Sequence, residues 1–101
     1  MLSFKVFFDG LMIWTDEEIK GKILHKLARF GKFEHSHTAI EHLQKGFPKD
    51  LAGKAKDSIH ELKREGILKS KSTSYGEQVS INVEKTDEVM HYIDIFLKRR
   101  E

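Results

Sequence analysis

The stretch FPKDLAGKAKDSIHELKREGILKSKSTSYGEQVSINV, residues 47–83, decides how this chain is read. Phe47-Pro48 is a turn, because a residue before proline avoids the α region. From Lys49 or Asp50, the spacing of Leu51, Ala55, Ile59 and Leu62 predicts a helix with one apolar stripe as far as Glu65. Gly66 is placed to stop it. Ile67 and Leu68 then enter a strand. Lys69 to Glu77 is polar and turn-rich with a tip at Tyr75-Gly76, and Val79, Ile81 and Val83 alternate as a returning strand.

Working outward, Thr15 with Glu18 forms a capping box, and Trp14 with Ile19 forms a hydrophobic staple. Ile19, Ile23, Leu24, Leu27 and Phe30 continue at helical spacing, and Gly31 stops the first helix. Phe33 begins a short extended piece. Thr38 with Glu41 predicts a second capping box, opening a short helix 2 with Ala39, Ile40 and Leu43 inward and Gly46 at its end. On the other side, Thr86 is expected to cap a last helix that ends on Lys98, Arg99 and Arg100. Residues 1–14 fit a hairpin turning at Asp9-Gly10, or one face of a helix through Phe4, Phe7, Phe8 and Leu11; the Asp-Gly pair favours strands.

At 101 residues the chain has the length of one domain, and no linker or repeat divides it. The expected parts are a 1–14 extension, a 15–85 core and an 86–101 helix. The absence of cysteine excludes a disulfide scaffold, a thiolate nucleophile and thiolate metal sites, and fits a reducing compartment. No apolar run reaches the roughly 20 residues needed to span a bilayer, and no basic leader precedes the apolar start. A cytoplasmic protein without a membrane segment is expected.

The element order is helix, extended piece, helix, turn, longer helix, strand, polar loop, strand. It is that of an α+β winged helix-turn-helix, a three-helix core carrying a two-stranded wing. The charge agrees with it. Residues 44–73 hold eight Lys/Arg against four acids, whereas residues 1–43 are neutral and residues 74–101 net −2. A local basic patch matters more to a polyanion than the overall balance of +2.

The runs His37-Thr38-Ala39-Ile40-Glu41-His42-Leu43 and Lys45-Gly46-Phe47-Pro48 are followed by Glu65-Gly66-Ile67-Leu68 and Thr73 to Asn82. Together they resemble small archaeal winged helix-turn-helix proteins. The resemblance spans residues 15–85. It implies a winged-helix fold and DNA binding, without naming a ligand or target.

Opposite the apolar stripe, helix 3 carries Gly53, Lys56, Asp57, His60 and Arg64, with Lys49 and Lys63 toward one flank and Lys54 nearer the other. Lys49, Lys56 and His60 lie in the turns that read base edges, ahead of Arg64. Lys69 and Lys71 are candidate phosphate contacts, with hydroxyl donors at Ser72, Thr73 and Tyr75. Tyr75 could equally pack on the wing's own base. Lys45 and Thr38 are candidate backbone contacts on helix 2, although Thr38 reads first as a cap. Against all of these stands a plain solvated helix face.

Glu34-His35-Ser36-His37 with Glu41 and His42 has the composition of a metal cluster but matches no zinc spacing. A metal-responsive regulator using His35 and His37 is the weakest of the options. No Gly-rich phosphate loop or G-x-S-x-G is present, so neither a cofactor nor catalysis is expected. In the last helix Val89, Met90, Ile93, Phe96 and Leu97 make one stripe that Tyr92 and Ile95 widen. That breadth points to a homodimer through the terminal segments, or else to packing of the two termini within one chain. The expected function is a double-stranded DNA-binding transcriptional regulator. The alternative is a winged-helix protein–protein module.

Overall fold

The computed structural model describes residues 14–99, so the expectations for residues 1–13 and for Arg100 lie outside it. The described residues form four helices and one three-stranded antiparallel sheet, an α+β arrangement. In chain order they are α1 (Asp16–Arg29), β1 (Thr38–Ala39), α2 (Ile40–Gln44), α3 (Ala52–Arg64), β2 (Leu68–Thr73), β3 (Gly76–Ile81) and α4 (Thr86–Arg99). Single 3-10 turns at Lys49–Leu51 and Val83–Lys85 lead into α3 and α4.

The start of α1 follows from its capping box. The Thr15 hydroxyl accepts from the Glu18 N–H, and the Glu18 carboxylate accepts from the Thr15 N–H at 2.9 Å. Two of the orphan donors at the helix start are thereby satisfied. At the other end Gly31 takes φ +67°, and the Lys32 N–H returns to the Leu27 carbonyl. Gly66 does the same after α3 with φ +77°. Both stops need the left-handed region that glycine enters without a Cβ clash.

Two expected caps are replaced. Thr38 does not cap α2: Thr38 and Ala39 are extended and pair with Val79 and Gln78 of β3, and the helix begins only at Ile40. Two sheet hydrogen-bonding positions outcompete one side-chain cap, and the Thr38 hydroxyl lies 3.2 Å from His42 Nδ1 instead. The ribbon therefore gains a third strand, in the order β1-β3-β2. Thr86 is already helical, and its hydroxyl donates to the Val83 carbonyl. The capping role passes to Asn82, whose side chain accepts from the Glu84 N–H.

The core lies where α1, α3, α4 and one face of the sheet meet. Ile19, Ile23, Leu24 and Leu27 of α1 are fully buried against Ala55, Ile59 and Leu62 of α3, with Leu68, Val79 and Ile81 closing the sheet side. α4 packs along α1 through Val89, Ile93 and Phe96. Much of the apolar surface expected at a dimer interface is thus spent inside the chain. Met90 and Leu97 of α4, with Val83 before it, stay exposed. Among the described residues no helix is long and apolar enough to cross a membrane.

Candidate nucleic-acid interface

The charges of α3 divide into paired and unpaired sets. Its inner side carries Glu61, which meets Lys20 of α1 at 2.9 Å, and Glu65 just after the helix meets the same ammonium at 3.3 Å. Burial alone would pull the Lys20 pKa down, but the hydrogen bonds it donates to Glu61 and Glu65 outweigh it and hold it above the ordinary lysine value. The Glu61 carboxyl is lowered in turn by Lys20. On the outer side Gly53, Lys54, Lys56 and Asp57 are exposed, as are Lys49 and Asp50 in the turn before them and Arg64 at the end. Lys49, Lys54 and Lys56 make no ion pair among the described residues, and neither do the exposed Asp50 and Asp57, whereas Glu61, Glu65 and Glu77 are engaged by Lys20 and Lys63.

His60 is half-buried, so less of its ring faces outward than its place on the helical wheel suggests. Lys63 forms a close ion pair with Glu77 of β3, and its hydrogen bond lowers the Glu77 carboxyl below the usual range. It ties the end of the helix to the hairpin. Lys69 is also engaged, with Glu34 at 2.7 Å.

Glu34 is a hub that no sequence pattern exposed. It sits at φ +51°, the one non-glycine residue with positive φ among those described. Its N–H donates to the Ile81 carbonyl, its own carbonyl accepts from the Ser80 hydroxyl, and its carboxylate accepts from the Val83 N–H at 2.8 Å. The hydrogen bond from Lys69, then that from Val83, hold its pKa low, and Lys69 is raised by the same contact. These bonds hold the loop after α1 onto the end of β3 and over Ser80.

Register sorts the hairpin side chains. Leu68, Ser70 and Ser72 pair with Ile81, Val79 and Glu77, so they share the face that meets the core and α3. Lys69 and Lys71 pair with Ser80 and Gln78 and stand on the opposite face. Ser72 therefore lies on the α3 side and Lys71 does not, a division that a linear reading of Lys69–Thr73 does not reveal.

At the tip, the Thr73 hydroxyl donates to the Gly76 carbonyl and accepts from the Tyr75 N–H, while Gly76 takes φ +112°. This closes a two-residue turn and leaves Tyr75 91% exposed, which decides against its packing on the base of the hairpin. Lys45 is exposed at the end of α2, away from the α3 outer face and beside Lys26 and Lys32 in a cleft.

His37 and Glu41 do not share a helix face, since α2 starts after His37. Among the described residues no group of three or more His, Asp or Glu side chains converges as metal ligands would. No protein-family model, curated protein or solved structure matches this chain.

Proposed function

We propose that this chain is a winged helix-turn-helix domain that binds double-stranded DNA as a transcriptional regulator. In this reading α3 enters the major groove and the β2–β3 hairpin is the wing that rests on the adjacent backbone. The observation that carries it is the set of unpaired cations on α3 and in the turn before it. Lys49 and Lys56, with Lys54 on the other flank, are exposed without ion-pair partners among the described residues, while Glu61 is engaged by Lys20 and, of the acids, only Asp50 and Asp57 stand exposed among them. Cations that no carboxylate of the fold engages are available to a polyanion.

Within this reading Lys49 and Lys56 contact the duplex first, with Arg64 toward the far end. The exposed Tyr75 tip, Ser72 and Lys71 supply the wing's donors to phosphate and sugar. Lys63 serves as a brace between α3 and the wing, and Lys69 ties the wing to the loop after α1. The sequence resemblance to small archaeal winged-helix proteins points the same way.

A second reading, a protein–protein module, is favoured by one feature. Met90 and Leu97 are exposed seven residues apart on α4, so they share one helix face that a partner could cover, with Val83 exposed in the turn before it. The same line would serve a homodimer bound to two half-sites.

The test is fluorescence anisotropy of a random-sequence duplex across a salt series. Binding that weakens steeply with salt is expected, with the log–log slope falling by about 2 in the Lys49→Ala/Lys56→Ala variant, about one per lost phosphate contact. Absence of binding at low salt would leave the protein module as the better account.

A further inference from the structure

A second basic surface lies away from the outer face of α3. A cleft of about 640 Å³ opens between the end of α1, the edge strand β1 and α2, with Gln78 of β3 at one wall. The ring of Phe30, 58% exposed, gives it an apolar face above the buried side chains of Leu27 and Leu43. Lys26, Lys32 and Lys45 also line it, and His37 and His42 add two further polar positions. Among the described residues no carboxylate lines it.

A second cleft, about 530 Å³ beside the start of α4, has the opposite character: among the described residues Glu65, Asp87 and Glu88 line it and no lysine does. The difference in sign between the two clefts states what each would accept.

The cationic cleft is partly pre-organised. The Lys26 ammonium spans from α1 to the His42 carbonyl at 2.6 Å, which holds its charge at the wall. Lys32 and Lys45 make no ion pair among the described residues, so an incoming anion displaces no protein carboxylate. Phe30 offers a ring face for stacking, with the Arg29 guanidinium 5.7 Å from its centroid. The volume falls within the range of small-molecule sites. An apolar lining under a ring of cations suits a molecule with both an aromatic body and an acidic head. A bare inorganic anion would leave the lining unused, and a neutral aromatic would leave the ammonium groups unused.

We infer that this cleft binds a small aromatic carboxylate, its ring against Phe30 and its carboxylate toward Lys32 and Lys45. The reading does not rest on DNA binding, because neither Lys49 nor Lys56 lines the cleft.

The experiment is a heteronuclear NMR titration of the whole chain with 1-naphthoate, run beside 1-naphthalenemethanol and inorganic phosphate. Naphthoate should shift amides in residues 26–32 and 37–45 saturably, and both comparators should bind at least about fivefold more weakly, since each lacks one of two paired contributions. Replacing Lys32 and Lys45 together by glutamine should weaken naphthoate about tenfold, as expected for the loss of charge-assisted contacts. Phe30→Ser should weaken it without restoring preference for the alcohol, and because Phe30 is exposed the fold should survive. The Lys49→Ala/Lys56→Ala variant should bind naphthoate like the parent. Shifts elsewhere on the surface, no saturation, or equal binding of the alcohol or of phosphate alone would overturn the assignment.

Discussion

The seam between α1 and α4 and the outer face of α3 are both rich in cations, yet the chain treats those cations in opposite ways. In the seam each has a partner. Arg99 meets Glu18 at 2.9 Å and lies 3.9 Å over the Trp14 ring, Lys22 sits over Trp14 and Phe47, and Lys20 is held between Glu61 and Glu65 beside the Tyr92 ring. On α3 and in the turn before it the lysines at 49, 54 and 56 stand in solvent without ion pairs among the described residues. Counting lysines therefore says little about function; the pairing of each one says more. Paired cations hold elements together, and unpaired ones are available to something outside.

The sharpest way to break this comparison uses two helical glycines, one in each region. A Cβ at Gly21 would stand 2.7 Å from Phe96 Cβ and 2.9 Å from the Tyr92 carbonyl carbon, so α4 can lie this close only because position 21 has no side chain. Gly21→Ala should destabilise the chain by about 3 kcal/mol, since overpacking against a backbone outweighs the roughly 1 kcal/mol gained in helix propensity. A denaturant titration would show it as a lower midpoint with an unchanged slope.

Acid should act next on both regions. Glu61 in the inner contact, and Glu77 and Glu34 in the braces of the hairpin, have folded pKa values below their ordinary ones. For a depressed carboxylate the stabilisation is complete above the unfolded pKa, about 4.3 for glutamate, and is lost as pH falls through the folded value. The denaturant midpoint should stay level down to about pH 5.5 and then fall, with a smaller fall in Glu77→Gln. A midpoint that rises on acidification would remove these pairs from the account of stability.

Gly53, the counterpart on α3, has nothing within 4 Å of its virtual Cβ. Gly53→Ala should stabilise the fold by up to about 1 kcal/mol, the opposite sign from position 21. If it also weakens duplex binding, close backbone approach at this point is part of recognition. Smallest of all, Lys49→Ala/Lys56→Ala should leave thermal stability within about 0.5 kcal/mol of the parent. A larger loss would mean that these lysines belong with the paired cations of the seam.

What could be read from the sequence is what acts over a turn or two of chain. The Thr15–Glu18 box, the stops at Gly31 and Gly66, the stripe of α3 and the hairpin with its Gly76 turn are all local patterns, and the fold contains them. The Thr38 cap failed because its rival lies some forty residues away in β3. Glu34 read only as part of a metal-like run, and its structural role was hidden for the same reason, since Ser80, Ile81, Val83 and Lys69 are its partners only after folding. The candidate interface was legible as a helical face. Its inward-turned acids and the engagement of Lys63 and Lys69 were not, because an ion pair across 14 or 35 residues leaves no periodic trace.

The place of β2 in the sheet has a further consequence. With the order β1-β3-β2, its six residues form an edge beside which no further strand lies among the described residues. Such an edge is a template for edge-to-edge aggregation unless something blunts it, and lysines on an edge strand do so by making a second copy costly to align. Lys69 and Lys71, separated by serines in the run Leu68–Thr73, keep the edge charged and hydrated. The same pair of lysines therefore has a duty in solubility that holds whether or not nucleic acid is present.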